Sequence, residues 1–244
     1  MEAYIETPRL VLRGFCLQDA QSMFDSYCSD EEAARYMPWH AHKSVQQTER
    51  DLRERLLPRQ ADENWLPLAL AKKQRPQQVI GNIGAFLHGG VAELGYVLGR
   101  AWWNKGYMSE ALAAVVEYLF TCTPVHSIAA WYEWANPASG AVLKKQGFVY
   151  EKEIFDKRKV DSPPQDTVPC AYCRLTKRAG PRAQGGRQPK GGIGMDQRIL
   201  LSVSQTGYDS MRRPCALWAA RRRAAIAPRW ISRARGLFCA AAWI

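Results

Sequence analysis

The sequence contains no run of about 18 consecutive apolar residues, the length that a helix needs to cross a bilayer. No membrane-spanning helix is therefore predicted. The opening residues, Met-Glu-Ala-Tyr-Ile-Glu, also lack a cationic stretch followed by an apolar run, so no secretory signal peptide is predicted. Both absences favour a cytoplasmic protein.

Cysteine is sparse and unpatterned. The chain has seven cysteines, an odd number without framework spacing, and this usage is typical of a reducing compartment rather than of a disulfide-stabilised protein. Cys170 and Cys173 form a CxxC pair, but no second pair of zinc ligands is visible, and the residues around them predict a strand. We therefore expect no metal site.

Acidic residues are almost absent from the C-terminal part of the chain. Of the 34 lysines and arginines, 14 lie from Lys177 onward, where Asp196 and Asp209 are the only acidic residues. Residues 1–176 therefore hold 20 basic and 21 acidic residues, and the net charge of +11 comes from the rest. We predict a folded domain over residues 1–176 and a basic tail over residues 177–244.

The tail has two interpretations. Residues 177–194 are rich in Gly, Pro, Gln and Arg, which is typical of a linker or a disordered segment. Residues 211–244 mix arginine clusters with Ala, Trp and Ile, and could form a basic helix that binds nucleic acid or a membrane surface. Pro214 and Pro228 interrupt any long helix, so we favour a disordered, irregular or non-native extension.

Apolar periodicity and turn residues predict an α+β fold for residues 1–176, with a crossover helix in the middle of its sheet. Ser44 is the expected N-cap of the second helix, and Pro58 is its expected end. The predicted elements are a strand at 4–15, helices at 18–27 and 44–57, strands at 65–71, 79–87 and 91–98 with breaks at 75–76 and 89–90, a helix at 109–120, a strand at 128–132, a helix at 136–146, and strands at 148–155 and 167–175.

The most informative segment runs from Glu93 to Leu112. It reads Glu-Leu-Gly-Tyr-Val-Leu-Gly-Arg-Ala-Trp-Trp-Asn-Lys-Gly-Tyr-Met-Ser-Glu-Ala-Leu, which predicts a strand, a tight turn and a helix N-terminus. Such a turn leaves backbone N–H groups unpaired at the positive end of a helix dipole, where a phosphate binds well. Gly106 permits close approach of a ligand, and Lys105 adds positive charge. Many strand–turn–helix units bind nothing, so this pattern alone leaves both outcomes open.

The segment resembles motif A of the GNAT superfamily of N-acetyltransferases, especially the branch that includes the ribosomal-protein N-terminal acetyltransferases. That branch has Trp-Gly-Lys-Gly-Tyr followed by Glu-Ala, and residues 103–107 and 110–111 occupy these places. Asn104 stands where the first glycine is expected, and Ala101 stands at a Gln/Arg position with Arg100 one residue early. Asn is the residue next best at tolerating a left-handed backbone, so we expect the loop to keep its shape.

Further motifs agree in order along the chain. Residues 136–148 resemble the family signature Asn-x-x-Ser…Leu-x-Lys-x-Gly-Phe. The opening Glu-Thr-Pro-Arg-Leu-Val-Leu-Arg at residues 6–13 and the segment Arg-Tyr-Met-Pro-Trp-His at residues 35–40 also resemble this branch. The resemblance spans residues 4–176 and implies a GNAT-type mixed, mostly antiparallel central sheet flanked by helices.

The resemblance also implies the ligands and the residues that bind them. The co-substrate is acetyl-CoA, the acceptor is a primary amine, and attack is direct within a ternary complex. The cofactor-binding residues that it implies are Tyr96, Val97 and Leu98 through their main chain, then Asn104, Lys105, Gly106, Tyr107, Met108, Asn136 and Ser139.

Acetyl transfer needs a neutral amine, a donor to the carbonyl oxygen and a proton for the leaving thiolate. By the resemblance, Glu93 is the candidate general base. Ser139 is a candidate proton donor, because Leu143 stands where many family members have a tyrosine, although another group or solvent could act instead. Trp39 and His40 are candidate acceptor-side residues. Glu93 as a solvent-facing strand residue is an equal alternative.

Two other classes of function stay open. One is a non-catalytic acyl-CoA-binding module, conceivable because of Asn104. The other is nucleic-acid or membrane-surface binding through the basic tail. Within the leading hypothesis, the acceptor is either a protein N-terminal amine or a small-molecule amine, and we expect a monomer or a homodimer.

Overall fold

The computed structural model describes residues 3–177, so the predicted tail lies outside the described residues apart from Lys177. The strands are β1 (Ile5–Glu6), β2 (Leu10–Arg13), β3 (Trp65–Lys72), β4 (Arg75–His88), β5 (Val91–Leu98), β6 (Ser127–Glu133), β7 (Val149–Lys157) and β8 (Thr167–Thr176). The helices are α1 (Asp19–Met23), α2 (Glu31–Ala34), α3 (Val45–Asp51), α4 (Leu57–Gln60), α5 (Tyr107–Cys122) and α6 (Pro137–Lys145).

The eight strands form one sheet in the order β1-β2-β3-β4-β5-β6-β8-β7. All neighbouring strands are antiparallel except β5 and β6, which are parallel. Parallel neighbours need a crossover connection, and α5 supplies it. The predicted α+β fold with a mixed, mostly antiparallel sheet is therefore confirmed.

Helices cover both faces of the sheet and create two cores. Leu112 and Leu119 of α5 belong to the larger core, together with Leu143 of α6. The smaller core lies on the other face and includes residues of α1, α2 and the turn before α4. Side chains along β5 alternate between these cores, so Leu98 packs in the larger and Val97 in the smaller.

The predicted first strand is wrong as a single element, because a turn divides it into β1 and β2. Thr7 N–H donates to the Leu10 carbonyl at 3.0 Å, and the Thr7 hydroxyl accepts the Leu10 N–H at 2.9 Å. Pro8, inside this turn, has no N–H to donate to a strand partner. The chain therefore reverses here, and Ile5 pairs with Leu12.

The second predicted helix begins as expected but ends later. Ser44 caps α3 by accepting the Gln47 N–H at 3.3 Å. A π-helical turn at Leu52–Leu56 leads into α4, so Pro58 occupies a first-turn position where its missing N–H is not needed. Pro76 likewise lies near the start of β4 and not at a break, a position that tolerates proline in a strand.

Candidate active site

β5 and β6 are paired only over the first half of their lengths. Their last paired residues are Leu94 and Ala130. Beyond this point β5 continues along β4 and β6 continues along β8, so the two parallel strands diverge and a cleft opens between them. Both strands, the start of α6, the segment after α2 and the end of β7 line this cleft.

The main chain of β5 directs two N–H groups toward the side on which the cleft opens. Gly99 N–H donates to the Ile80 carbonyl of β4 at 2.9 Å. Because amides alternate in direction along a strand in an antiparallel ladder, the N–H groups of Tyr96 and Leu98 point away from β4 and into the cleft. The Leu98 carbonyl, on the same side, accepts the indole N–H of Trp103 at 2.6 Å. Of these two residues, Tyr96 lies on the cleft lining, and Leu98 follows it along the strand.

The loop between β5 and α5, residues 99–106, curves tightly before the helix. A 3₁₀ turn at Arg100–Trp102 is followed by two residues with left-handed backbone, Asn104 (φ 57°) and Gly106 (φ 77°). Asn104 thus has the conformation that only glycine adopts more readily, as expected. The helix begins at Tyr107, and its first-turn N–H groups point back toward the loop. This β5–α5 loop forms a cradle at the positive end of a helix dipole.

Basic side chains along this loop already have partners within the fold. Lys105 Nζ donates to the Ala101 carbonyl at 2.6 Å, and Arg100 Nε lies 3.0 Å from the Asp30 carboxylate. Met108 is buried in the larger core. The loop residues therefore offer a ligand mainly backbone N–H groups.

The N-terminus of α6 brings Asn136 and Ser139 onto the cleft lining. Asn136 Oδ1 accepts the Ser139 N–H at 3.3 Å, so Asn136 is also the N-cap of this helix. The Tyr96 hydroxyl lies 2.9 Å from Ser139 Oγ and donates to the Ser139 carbonyl at 3.2 Å. Burial raises the pKa of Tyr96, so this hydroxyl is protonated at neutral pH. A tyrosine and a serine therefore share one edge of the cleft.

The opposite edge carries an acidic pair that the sequence analysis missed. Trp131 Nε1 donates to Asp156 Oδ2 at 3.0 Å, and both residues line the cleft. Glu133, also on the lining, has a side chain only 10% exposed, with Arg158 Nη2 3.5 Å from its carboxylate. Burial raises the pKa of Glu133 despite this neighbour. The sequence feature that could have identified Glu133 is its position at the end of β6, just before the signature at residues 136–148.

Residues 34–40, from the last residue of α2 onward, form the wall of the cleft beside this acidic pair. Its residues Tyr36, Met37 and Pro38 line the cleft. The Lys159 ammonium, from the connection between β7 and β8, donates to three main-chain carbonyls of this segment, at 2.8 Å to Ala34, 2.8 Å to Met37 and 3.1 Å to Trp39. A fourth carbonyl, that of Arg35, lies at the longer distance of 3.4 Å. One lysine therefore holds this wall in place.

The predicted acceptor-side residues lie away from the cleft lining. Trp39 is 6% exposed and packs in the smaller core, with its ring centroid 6.4 Å from that of Tyr27. The His40 side chain is 64% exposed, and its Nε2 lies 3.1 Å from the Asp161 carboxylate. Trp39 and His40 lie in the segment 34–40, but the residues of this segment that line the cleft are Tyr36, Met37 and Pro38.

Glu93 lies in the paired part of β5, between Phe86 of β4 and Ala129 of β6. One carboxylate oxygen is 3.3 Å from His88 Nε2, and the side chain is 14% exposed. The other oxygen is buried without a hydrogen-bond partner among residues 3–177. Glu93 is not on the cleft lining, and the structure does not bring it together with Ser139.

Comparison with known proteins gives consistent matches. The acetyltransferase (GNAT) domain matches residues 9–149. The uncharacterized N-acetyltransferase p20 of Bacillus licheniformis is 32% identical over 156 residues, which cover 63% of this chain and 86% of p20. The ribosomal protein uS5-alanine N-acetyltransferase of Escherichia coli (strain K12) is 37% identical over 75 residues, which cover 31% of this chain and 39% of that enzyme.

The fold also matches solved structures. One is the microcin self-immunity acetyltransferase MccE in complex with acetyl-CoA and AMP, with a TM-score of 0.60 and 15% sequence identity. The match covers 70% of this chain and 93% of MccE.

Proposed function

The chain belongs to the GNAT acetyltransferase family, and we propose that it transfers an acetyl group from acetyl-CoA to a primary amine by direct attack within a ternary complex. The observation that carries this proposal is the cleft where β5 and β6 diverge. Its lining holds the β5 main chain at Tyr96, the start of α6 and the largely buried carboxylate of Glu133, and the β5–α5 loop follows directly after β5. We further propose that residues 1–176 carry the whole activity.

The residues present fit acetyl-CoA, which would supply the activated acyl group as a thioester. The backbone at Asn104 and Gly106 curves around a helix N-terminus, whose free N–H groups suit phosphates. The amides of Tyr96 and Leu98 would donate to the thioester carbonyl as negative charge develops on it. The remaining residues that we assign to this ligand are Lys105, Tyr107 and Met108 through their main chain, and Asn136 and Ser139. Val97, whose N–H points toward β4 and whose side chain packs in the smaller core, is not assigned to it.

On the acceptor side we assign the proton acceptor to Glu133. It lies on the cleft lining, and its raised pKa makes it a stronger base than an ordinary carboxylate. Glu93, predicted from the sequence, stays a candidate, but from its place beside His88 it would act only through intervening water.

On the cofactor side we assign the proton for the leaving thiolate to Ser139 and Tyr96 together. Their hydroxyl oxygens are 2.9 Å apart, so a proton that passes from Ser139 to the thiolate is replaced from Tyr96, and Tyr96 regains its proton from solvent in the cleft. This pair would take the role of the tyrosine that many family members have at the position of Leu143. Positioning supplies the rest of the acceleration, since no covalent enzyme intermediate is needed.

The test compares two matched variants, Glu133→Gln and Glu93→Gln. We expect Glu133→Gln to lower kcat by about 100-fold, the range of general acid–base catalysis, and to leave acetyl-CoA binding unchanged. Activity of the unmodified protein should rise with pH as Glu133 loses its proton, and this limb should vanish in Glu133→Gln. The opposite outcome, with the limb lost only in Glu93→Gln, would transfer the role to Glu93.

The acceptor is either a protein N-terminal amine or a small-molecule amine. The E. coli relative acts, by its name, on an N-terminal alanine, which supports the first. Acetylation of alanine-terminated peptides, measured beside free amino acids and polyamines, separates the two. Binding of acetyl-CoA without transfer to any amine would leave the acyl-CoA-binding module as the function.

A further inference from the structure

The turn between β1 and β2 is bonded to the first turn of α5, more than 90 residues further along the chain. The Thr7 hydroxyl donates to Glu110 Oε1 at 2.6 Å, and the Arg9 main-chain N–H donates to the same oxygen at 2.9 Å. Burial would raise the pKa of Glu110, but these bonds and the Arg9 guanidinium lower it below its usual value. Glu110 is therefore an ionised anchor for this turn.

The Arg9 guanidinium extends from this anchor along the β5–α5 loop. Its Nε donates to Glu110 Oε2 at 2.6 Å, and its Nη1 donates to the Lys105 carbonyl at 2.9 Å. Its Cζ lies 4.4 Å from the centroid of the Tyr107 ring, a cation–π contact. A Cβ atom at Gly106 would lie 3.4 Å from Nη2. Arg9 thus contacts Lys105 and Tyr107 and lies beside Gly106, at the end of the loop.

Two features of the loop create a need for such a support. Asn104 and Gly106 both have left-handed backbone, which the loop must hold in order to direct its N–H groups at a ligand. The Glu110 carboxylate, in the first turn of α5, would also repel an anion at this helix end. Arg9 addresses both, because it bonds to the loop backbone and neutralises Glu110.

We propose that Arg9 is a positioning residue for the phosphates of acetyl-CoA, acting through the β5–α5 loop and Glu110. This inference rests on the proposed function, since it assigns the loop to acetyl-CoA. Arg9 fixes the loop in its binding conformation before the ligand arrives. It also offsets the negative charge of Glu110 at a loop whose other basic groups already have partners, Lys105 on the Ala101 carbonyl within the loop and Arg100 on Asp30. The Thr-Pro-Arg motif at residues 7–9 thereby acquires a role in the site.

The first variant is Arg9→Gln in the full chain, with Arg13→Gln as the matched control. Arg13 lies on the adjacent strand and forms its own ion pair with Asp19 at 2.7 Å, away from the loop. We expect Arg9→Gln to raise the Kd for acetyl-CoA by about tenfold, the loss of a charge-assisted hydrogen bond, with kcat at saturating acetyl-CoA changed by less than about twofold. Arg13→Gln should leave the Kd unchanged.

Two further variants separate charge from geometry. Arg9→Lys keeps the charge but not the two-armed bonding, and we expect it to recover part of the affinity. Glu110→Gln added to Arg9→Gln removes the unpaired carboxylate and should also recover part of it. A Kd in Arg9→Gln equal to that of the unmodified protein, or raised equally in Arg13→Gln, would overturn the proposal.

Amide hydrogen exchange of the ligand-free protein tests the inference independently of the proposed function. We expect faster exchange at residues 104–107 in Arg9→Gln than in Arg13→Gln, because the loop loses its tie to the β1–β2 turn. Unchanged exchange there would sink the positioning role. Absence of acetyl-CoA binding by the unmodified protein would instead sink the proposed function while the exchange result still stood.

Discussion

The two walls of the cleft are held in place by different means. The cofactor wall is the part that we assign to acetyl-CoA, namely the β5–α5 loop, which follows the cleft-lining part of β5, and the first turns of α5 and α6. It takes its shape from local backbone conformation at Asn104 and Gly106 and from helix N-termini. The acceptor wall, formed by residues 34–40, takes its position from Lys159, which is 125 residues from Ala34 in the chain. The cofactor wall is therefore shaped by local backbone and supported by one distant side chain, Arg9, whereas the acceptor wall takes its position from a distant side chain alone.

This difference separates the two recognition tasks. A wall defined by local backbone presents main-chain N–H groups, which suit a ligand that is the same for every member of a family. A wall held by one lysine can change its shape when the β7–β8 connection changes, without disturbing the loop that binds the cofactor. We therefore expect substitutions in the acceptor wall to alter amine recognition and to spare acetyl-CoA binding.

The strongest test of this comparison is Lys159→Met. Methionine keeps the length of the side chain but removes the charged donor from three carbonyls. Hydrogen bonds with a charged partner contribute about 1.5–3 kcal/mol each, and carbonyls re-exposed to water recover part of this, so we expect the free energy of unfolding to fall by about 2–3 kcal/mol. We expect kcat/KM for the amine to fall by more than about tenfold, with the Kd for acetyl-CoA unchanged.

Lys152→Met is the matched control. Lys152 lies on β7 of the same hairpin, and its Nζ is 5.2 Å from the centroid of the Tyr172 ring. An exposed substitution of this kind changes the free energy of unfolding by less than about 0.5 kcal/mol. Urea denaturation and steady-state kinetics of both variants supply the measurements. An equal loss of acetyl-CoA affinity in Lys159→Met would show that the two walls are not independent.

A smaller effect is expected inside the cofactor wall from Tyr96→Phe. The change removes the hydroxyl that bonds to Ser139 and keeps the buried ring. We expect kcat to fall by about tenfold, at the low end for acid–base catalysis because a thiolate leaves readily. Burial raises the pKa of Tyr96, so the hydroxyl stays protonated through neutral pH and the variant should change the height of the pH–rate profile without moving its limbs.

Ser139→Ala tests the same pair from the other side. If the two hydroxyls act as one unit, the double variant should be no slower than the slower single variant. Additive losses would mean that Tyr96 and Ser139 act separately, and a kcat unaffected by either change would leave solvent as the proton source.

The backbone shape of the cofactor wall could be predicted from the sequence because it depends on residues that are close together in the chain. The strand–turn–helix order and the left-handed backbone at Asn104 both depend on residues within one short segment, and both are found in the structure. The sheet was predictable from period-two patterns, and its one parallel pair from the helix between β5 and β6.

The parts that the sequence analysis missed depend on contacts between distant residues. Glu133 looks like an ordinary strand residue until the divergence of β5 and β6 places it on a cleft. Lys159 lies in a polar connection that has no periodicity, and its three carbonyl partners come from the other end of the domain. The division of the first strand by Pro8 is local, and a proline within a predicted strand was the signal for it.

The smallest effect is expected from Asn104→Gly, which restores the glycine of the related loops. Because Asn104 already holds φ at 57°, the loop has its binding shape, and glycine removes only a small strain while adding freedom to the unfolded chain. We expect the Kd for acetyl-CoA, measured by calorimetry, to change by less than about threefold, since the strain of a left-handed Asn is a fraction of the 1–2 kcal/mol that other residues incur.

Asn104→Val supplies the contrast, because a β-branched residue opposes the left-handed backbone and should weaken binding more than glycine changes it. If Asn104→Gly instead binds acetyl-CoA more than about tenfold tighter, then Asn104 holds the loop back, and the cofactor wall is not fully set by local backbone. That result would also explain a binding module with weak or absent catalysis, since the loop would then depend on the ligand to complete its shape. If the glycine variant and the unmodified protein bind acetyl-CoA equally well, any difference in activity from the related enzymes would come from the acceptor wall.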